Sequence, residues 1–399
     1  MRKLYLARQM NRRRFLYRSA VSSMGLGLAA TAAEPETGGQ IRPDSGAAFE
    51  WRNKQGDMAY RKLGRTGLMI SEVICGGDPI GLNNYGHIEL AIDMGLNYLD
   101  MAPMYRRGET EQAFGKLIAR PSLRDRVLLT TKVSPYTSAR DRMYKDVFDG
   151  LPSEKQTAIM KRAAELRRER FVDKPGYFLE YFSGQGNGID GAFRSNAMTR
   201  DYGHLVEGSR PFRKVIMDSV EGSLKRVGTD HFDILMCPHG ACSKEELESP
   251  EIHQTFLELK QQGKVRFLGV TSHNNPAGVL RAASRLGYYD VAMIAYNVIN
   301  GGYVEEAIRE AAASGMGVIA MKSANPVARR HRKGLEPIPD WRIQKLQRIV
   351  PGDYTVPQKA YIWSLQNPSI SAVISDLWNE NYVTENLFAA GKRVDLRLA

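Results

Sequence analysis

Four residues of this chain carry side chains that could act together in carbonyl chemistry, and each lies at or just after the end of a short apolar run. In chain order they are Asp100, Tyr105, Lys132 and His239. A phenol with an ordinary pKa of about 10 is a weak proton donor, and a neighbouring ammonium favours its ionised form. We therefore expect Lys132 to make Tyr105 more acidic, with Asp100 holding the lysine charged and oriented. We expect His239 to hydrogen-bond a substrate oxygen, so the set suits reduction of a carbonyl group.

The elements that must position these residues are eight short apolar runs, most of them separated by amphipathic helical patterns. The predicted strands are Val73–Cys75, Asn97–Asp100, Val127–Thr131, Phe232–Met236, Val265–Val270, Val291–Ala295, Val318–Met321 and Ala372–Ile374. Continuous apolar runs between helices are typical of buried parallel strands, and eight of them favour an α/β fold of the closed (β/α)8 type, a TIM barrel, over an open doubly wound sheet. Active sites of such barrels lie at the C-terminal ends of the strands, where Asp100, Lys132 and His239 fall.

Ordered motifs between Tyr60 and Leu387 resemble the aldo/keto reductase family. The segments that carry the resemblance are the opening β-hairpin Tyr60–Leu68, the run Asn97–Gly115, the pair Thr131–Lys132, the run Asp233–His239 and the last strand and helix, Asn367–Asn386. One departure is Met101, which stands where the family usually has threonine. The resemblance implies NAD(P)-dependent interconversion of an aldehyde or ketone, sugar-like substrates included, with an alcohol. It also implies that Tyr105 is the acid/base of this reaction.

The same resemblance assigns cofactor contacts to nine positions, which are Thr271, Ser272, Met293, Met321, Lys322, Ser375, Asp376, Glu385 and Asn386. Several of them differ from the usual pattern, because Thr271–Ser272–His273 stands where Ser–Asn is usual and Met293 replaces a glutamine. Met321 stands where a tyrosine usually stacks on the nicotinamide, although its thioether still offers a polarizable face. These replacements are similar to those in the branch of the family with Met–Lys on the seventh strand.

The choice between NAD and NADP depends on the loop after the last predicted strand. Asp376 stands where NADPH-preferring members supply a cation, and a carboxylate repels a 2′-phosphate but accepts from a ribose hydroxyl. This favours NAD. The basic run Arg329–Lys333 could instead supply phosphate contacts, or it is a solvated surface. Loss of nicotinamide binding is the remaining alternative, which would leave a non-catalytic periplasmic barrel that binds a small ligand or carbohydrate.

Residues 133–212 form a long insertion after the third predicted strand. Loops of this length are usually functional or carry structure of their own. A charged helix is predicted from Ser153 to about Arg170, and a Gly-rich stretch follows with aromatic side chains expected to be exposed, namely Tyr177, Phe178, Tyr181 and Phe182. Because the third strand ends at the active-site face, the insertion could act as a lid, contact the substrate or form an oligomer surface. Alternatively it is a decoration without function.

The amino terminus predicts an export signal. Residues 1–33 carry the pair Arg12–Arg13, a weakly apolar stretch and a small-residue cleavage site, as in a twin-arginine signal peptide. We therefore expect a periplasmic protein, delivered by the twin-arginine export machinery without a stable membrane anchor. A disordered basic tail or an uncleaved anchor is the alternative. Residues 34–57 are predicted to be a linker and residues 58–399 the folded barrel.

Charge and cysteine content limit the other function classes. The net charge of +12 comes largely from residues 1–33, which hold seven Lys or Arg and no acid, and no nucleic-acid-binding motif is present. Three cysteines are too few for the four thiolates of an iron–sulfur cluster. Cys75 and Cys237 are predicted in the core, and Cys242 is expected to be accessible near the site. A zinc site at Cys237, His239 and Cys242 would lack an evident fourth ligand.

Overall fold

The computed structural model describes residues 49–207, 211–329 and 335–397. The predicted signal peptide, residues 34–48 of the predicted linker and residues 330–333 of the basic run lie outside the described residues. Within the described part of the chain, no helix is long and apolar enough to cross a lipid bilayer.

A small three-stranded sheet precedes the barrel and closes its N-terminal end. It consists of β1 (Glu50–Trp51), β2 (Tyr60–Lys62) and β3 (Leu68–Ser71), of which β2 and β3 pair antiparallel as the predicted hairpin. Gly64 lies so close to the barrel that a Cβ at this position would be 2.1 Å from the backbone nitrogen of Gly317. The hairpin is therefore packed directly against the barrel floor.

Part of the predicted linker belongs to this ordered region. Arg52 donates to Asp233 at the start of the fourth barrel strand, 3.1 Å from Oδ1, and Arg266 donates to the same carboxylate at 2.6 Å. Asp233 is fully buried, so these cations compensate a charge that burial would otherwise make unfavourable. Ordered structure thus begins before Met58, the residue at which the folded part was predicted to start.

Eight parallel strands form the closed barrel, and all eight predicted strands are confirmed. They are β4 (Val73–Gly76), β5 (Tyr98–Asp100), β6 (Leu128–Lys132), β7 (Phe232–Met236), β8 (Val265–Ser272), β9 (Val291–Ala295), β10 (Gly317–Met321) and β11 (Ala372–Asp376). Alternate side chains such as Ile74, Tyr98 and Ile234 fill the barrel interior. Their neighbours, such as Leu99, pack outwards against the helices, which is why the strands read as continuous apolar runs.

Helices cover the outside of the barrel and most of them connect consecutive strands. They are α1 (Ile88–Asp93), α2 (Glu109–Ile118), α3 (Pro121–Arg124), α4 (Pro135–Asp149), α5 (Ser153–Glu169), α6 (Gln185–Glu207), α7 (Pro211–Val227), α8 (Pro250–Gln261), α9 (Pro276–Leu286), α10 (Gly301–Ala313), α11 (Asp340–Ile349), α12 (Val356–Gln366) and α13 (Glu380–Leu387). The predicted charged helix of the insertion is α5. The connections that leave the C-terminal ends of the strands carry the site described below.

The insertion consists of α4, α5, α6 and the segment between α5 and α6, which lies on the loops after β8 and β9. The aromatic residues of this segment were expected to be exposed, and that expectation is wrong for two of them: Tyr177 is 4% exposed and Tyr181 1%. The hydroxyl of Tyr177 donates to Asn275 Oδ1 at 2.5 Å, and that of Tyr181 accepts from Asn297 Nδ2 at 3.0 Å. The two asparagine amides give the phenolic hydroxyls their hydrogen-bond partners, so burial of the two tyrosines is favourable. The insertion therefore lies on the face where the strands end.

A buried acid joins the insertion to the loop after β7. Glu246 accepts from the backbone nitrogen of Cys242 at 2.9 Å and from Thr137 Oγ1, on α4, at 3.2 Å. Burial raises the pKa of Glu246 to about 7, with Arg140 acting against the shift and Asp141 adding to it. The Cys242 side chain is only 2% exposed in this arrangement, so the expectation of an accessible thiol near the site is wrong.

Candidate active site

Asp100, Tyr105, Lys132 and His239 come together at the C-terminal end of the barrel. Asp100 and Lys132 are the last residues of β5 and β6, and His239 follows β7 by three residues. Parallel neighbours end at the same rim, which is why residues far apart in sequence meet here. Tyr105 opens a short turn after β5 in which Arg106 and Arg107 have φ angles of 47° and 57°. Non-glycine residues rarely adopt this left-handed conformation, and its occurrence next to a tyrosine of the site is typical of a functional turn.

Lys132 and Asp100 form a buried ion pair. Their Nζ and Oδ1 atoms are 2.5 Å apart, and Nζ also donates to the carbonyl of Met101 at 3.0 Å. Burial raises the pKa of Asp100 and lowers that of Lys132, while the attraction between the two charges acts against both shifts. Each charge is compensated by the other, so the pair can persist in the barrel interior.

Tyr105 lies beside this pair, with the Lys132 ammonium over its ring at 4.5 Å from the centroid. The His239 ring is edge-on to the tyrosine at 6.0 Å. Removal from water raises the pKa of Tyr105 well above its usual value, and the carboxylates of Asp100, Asp78 and Asp376 add to the increase. The expected lowering of this pKa by Lys132 is therefore not observed. The physical reason is that removal of the phenol from water, together with the nearby carboxylates, outweighs the effect of the ammonium.

His239 is held in a neutral form. Its Nδ1 is 2.9 Å from Ser134 Oγ, on the connection after β6. Removal from water lowers the pKa of His239 well below its usual value, and the cations Lys132 and Lys322 act in the same direction. A neutral imidazole has one donor and one acceptor nitrogen. If the Ser134 hydroxyl donates to Nδ1, the proton is on Nε2 and that nitrogen is a hydrogen-bond donor.

A cavity of about 300 Å³ extends from Tyr105 and Asp100 across the ends of β9, β10 and β11 to α12 and α13. Five of the nine positions predicted to contact a cofactor line it, namely Met293, Met321, Lys322, Asp376 and Asn386. The Oδ1 atom of Asn386 is buried and has no hydrogen-bond partner among the described residues, while its Nδ2 donates to Ser375 at 2.9 Å. A second acceptor without a partner, Asn325 Oδ1, lines the same cavity. Buried acceptors of this kind suit a ligand that carries donors.

The remaining predicted cofactor residues make bonds within the protein. Thr271 Oγ1 accepts from the backbone nitrogen of Gly240 at 2.7 Å, and Ser272 Oγ donates to the carbonyl of Ala241 at 2.7 Å. The carboxylate of Glu385 accepts from Thr355 Oγ1 at 2.7 Å. Thr271 and Ser272 thus hold the loop that carries His239.

Two residues that line the cavity, His273 and Asp78, were not among the predicted contacts. His273 directly follows the predicted pair Thr271–Ser272, and its place in that run was the available signal. Its ring is 5.5 Å from that of Phe182, edge-on, so the insertion reaches the rim of the cavity through this contact. Within the described ranges, no three His, Cys, Asp or Glu side chains are placed to hold a metal ion.

Comparison with known proteins gives a family match over most of the chain. A model of the aldo/keto reductase family matches residues 84–174 and 202–395. The chain is 25% identical over 231 residues to aldo-keto reductase AMT2 of Alternaria alternata, covering 54% of this chain and 49% of AMT2. It is 25% identical over 219 residues to the uncharacterized oxidoreductase YqkF of Bacillus subtilis, with shares of 54% and 49%. The chain thus spans about half the length of the curated relatives it matches.

A likeness to solved structures supports the fold. The aldo-keto reductase AKR11C1 from Bacillus halodurans, in its holo form, superposes with a TM-score of 0.54 at 19% identity. The superposition covers 84% of this chain and 92% of that one. At this identity the likeness shows the barrel alone, whereas the family match extends over most of the sequence. The chain belongs to the aldo/keto reductase family.

Proposed function

We propose that this protein is an NAD(P)-dependent oxidoreductase that interconverts an aldehyde or ketone with an alcohol. The observation that carries the proposal is the meeting of Tyr105, Lys132, Asp100 and His239 beside one cavity at the strand ends. Family membership supports an oxidoreductase in general terms. The finer assignment rests on the chemistry of these side chains.

In the reductive direction, Tyr105 donates its phenolic proton to the substrate oxygen as charge develops there. Its raised pKa keeps it protonated at neutral pH, so it begins the reaction as a donor. The Lys132 ammonium over the ring stabilises the tyrosinate that remains after transfer. Asp100 holds that ammonium in position through the 2.5 Å ion pair.

His239 orients the substrate. Because its pKa is lowered, the imidazole is neutral at pH 7 and offers a hydrogen bond without a charge. With Ser134 bonded to Nδ1, the Nε2 proton is available to the substrate oxygen. This donor would fix the oxygen within reach of Tyr105 and polarise the carbonyl.

The groove that continues from this site offers groups that suit a nicotinamide cofactor. The acceptor atoms of Asn386 and Asn325 match the donors of a carboxamide or an adenine amino group, and Met293 and Met321 offer apolar, polarizable surface. Lys322 would take a negatively charged phosphate of the cofactor. The nicotinamide would supply or accept the hydride at the substrate carbon.

We favour NAD(H) over NADP(H) for this groove. Asp376 is exposed at its outer end and would repel a 2′-phosphate while accepting from a ribose hydroxyl. Arg329 lines the same groove and is the cation that would favour the phosphorylated cofactor. Asp376 and Arg329, two of the charged residues that line the groove, thus favour different cofactors, and direct binding decides between them.

The test combines cofactor binding with turnover. NADH and NADPH are titrated into the full chain by fluorescence, and turnover is measured with an aromatic aldehyde and a short aldose. Tyr105→Phe is expected to leave cofactor affinity within about twofold and to lower kcat by about 10²–10⁴, the contribution of a general acid. Tyr85→Phe, the same change outside the cavity, is the matched control. A folded protein that binds neither cofactor refutes the proposal and leaves the alternative of a ligand-binding barrel.

We also propose that the protein reaches the periplasm through the twin-arginine pathway. The support is the sequence pattern around Arg12–Arg13 and the weakly apolar stretch that follows it. This pathway carries folded proteins, which suits a chain that acquires its cofactor before export.

A further inference from the structure

A second cavity, of about 850 Å³, lies between the insertion and the barrel. Its walls are α5, α6 and the loop after β7 at Lys244–Glu245; we call it the seam cleft. The family match skips residues 175–201, a range that includes most of the α6 wall. Most of the α6 wall thus lies outside the family match, and the seam cleft shares no lining residue with the cavity beside Tyr105.

Cations exceed anions in the seam cleft. The cationic side chains are those of Lys155, Arg162, Arg170, Arg200 and Lys244, and the anionic ones those of Glu169, Asp201 and Glu245. Each carboxylate already has a guanidinium partner: Glu169 is paired with Arg162, Asp201 with Arg200 and Glu245 with Arg170. The side chains of Lys155 and Lys244 are exposed, and their ammonium groups form no ion pair or hydrogen bond with any described residue. Two ammonium groups thus remain available to an anion.

A buried donor points to the same kind of ligand. Asn196 lines the seam cleft and is 5% exposed, and its Nδ2 has no hydrogen-bond partner among the described residues. Arg140 donates to Asn196 Oδ1 at 3.1 Å. This contact fixes the orientation of the amide, because the reverse orientation would place the Asn196 NH₂ group against the guanidinium, donor against donor. A buried donor without an acceptor is unfavourable, so a ligand that brings an acceptor to this nitrogen would be favoured.

Apolar side chains form part of the same wall, including Ile159, Leu166 and Ala197. The seam cleft therefore offers donors and positive charge beside an apolar surface. A fully hydrated inorganic ion would leave that surface exposed to water, whereas an anion with an apolar group would cover it.

We propose that the seam cleft binds a small organic anion, an oxyanion group carried on an apolar body. Asn196 Nδ2 and the ammonium groups of Lys155 and Lys244 would donate to the oxyanion, and the apolar wall would contact the body. A phosphate ester and a carboxylate share this chemistry. The ligand would bridge the insertion and the loop that follows His239, and the proposal does not depend on the reaction assigned to Tyr105.

Three probes with the same ring test the proposal by isothermal titration calorimetry on the full chain. They are phenyl phosphate, benzoate and the neutral benzyl alcohol. We expect at least one of the two anions to bind and the alcohol not to bind. The stronger anion identifies the preferred oxyanion, phosphate or carboxylate. If neither anion binds, or if the alcohol binds as tightly as the anions, the proposal is wrong.

Substitutions locate the binding. Lys244→Gln and Lys155→Gln are each expected to lower the affinity for the anion by about tenfold, which is the effect of losing one charge-assisted hydrogen bond. Lys214→Gln, on the exposed face of α7, is the matched control and should change nothing. Asn196→Asp keeps the acceptor for Arg140 but replaces the donor with a negative oxygen, so it should abolish binding in a folded protein.

One further variant separates the two cavities. Arg329→Gln removes a cation from the cavity beside Tyr105 and should leave anion binding unchanged. If Arg329→Gln abolishes binding while Lys244→Gln and Asn196→Asp retain it, the anion occupies the other cavity and the seam cleft is not the site.

Discussion

The buried pair of Lys132 and Asp100 makes the most quantitative prediction. Lys132→Met keeps the side-chain volume but leaves Asp100, which is 2% exposed, without its ammonium. Removing one partner of a buried ion pair costs about 3–5 kcal/mol of stability. Protonation of Asp100 in the variant would limit this cost. Protonation itself costs about 1.4 kcal/mol for each unit by which the pH exceeds the pKa of the carboxyl group. From the ordinary value of 3.8, protonation at pH 7 costs about 4 kcal/mol. Because burial raises the pKa of Asp100, we expect a loss of about 3 kcal/mol.

The assay is thermal unfolding at pH 5.5 and 7.5 of the wild type, Lys132→Met and the double variant Lys132→Met/Asp100→Asn. At pH 7.5 the single variant should melt roughly 6 °C lower, at about 2 °C per kcal/mol for a chain of this size. A carboxyl group whose pKa is higher in the folded state than in the unfolded state stabilises the protein at pH values below its unfolded-state pKa. This stabilisation is lost as the pH rises through the folded-state pKa. The deficit should therefore shrink at pH 5.5. The free energy of unfolding of the double variant should lie within about 1.5 kcal/mol of the wild-type value, because no charge remains buried at this site.

Two results would refute this reasoning. The first is a single variant as stable as the wild type at pH 7.5, which would mean that Asp100 is solvated without its partner. The second is a deficit of equal size at both pH values, which would attribute the loss to packing around Lys132 rather than to charge. Both variants are expected to lose turnover, since neither retains the ammonium over the Tyr105 ring.

Three further predictions concern other parts of the chain. Asp376→Ser should reduce the preference for NADH over NADPH by about fivefold, the effect of about 1 kcal/mol of charge repulsion, in paired fluorescence titrations. An unchanged ratio would contradict the role given to this carboxylate. Because the pKa of Glu246 is raised to about 7, the folded protein should lose stability as the pH rises through that value. Glu246→Gln should remove the loss, so that wild-type stability relative to this variant falls by about 2.5 kcal/mol between pH 5 and pH 8 in thermal melts. A constant difference would show that Glu246 does not titrate in this range. Finally, Arg12→Lys together with Arg13→Lys should leave unprocessed protein in the cytoplasm on fractionation and immunoblotting. Processed periplasmic protein would argue against twin-arginine export.

The barrel and the four residues at its mouth could be predicted because their signals are local. Each strand is a run of apolar residues that pack on both faces, and parallel strands place their last residues at one rim. Asp100 and Lys132 end their strands, so their meeting followed from the strand assignment. The pKa of Tyr105 could not be predicted in the same way. It depends first on removal of the phenol from water, and then on the carboxylates of Asp100, Asp78 and Asp376, which separate segments of the chain bring to the site.

The same limit explains the other differences. Thr271 and Ser272 stand at family cofactor positions, yet their hydroxyls bond to the loop after β7. Tyr177 was expected to be exposed because it lies in a Gly-rich segment, whereas Asn275, nearly a hundred residues later, provides the partner that allows its burial. A pattern within one segment contains no information about which distant group will satisfy a buried hydroxyl.

The family, the eightfold alternation of strands and helices, and the residues at the strand ends follow from the amino-acid sequence, because periodicity and motif spacing are properties of short segments. Which side chains share a charge or a hydrogen bond depends on how the folded chain brings those segments together. The tertiary structure brought Phe182 of the insertion to His273, left acceptors of Asn386 and Asn325 without partners in one cavity, and left Asn196 Nδ2 without one in another. These contacts join separate segments of the chain, and their energies depend on burial and distance that exist only once the barrel has closed.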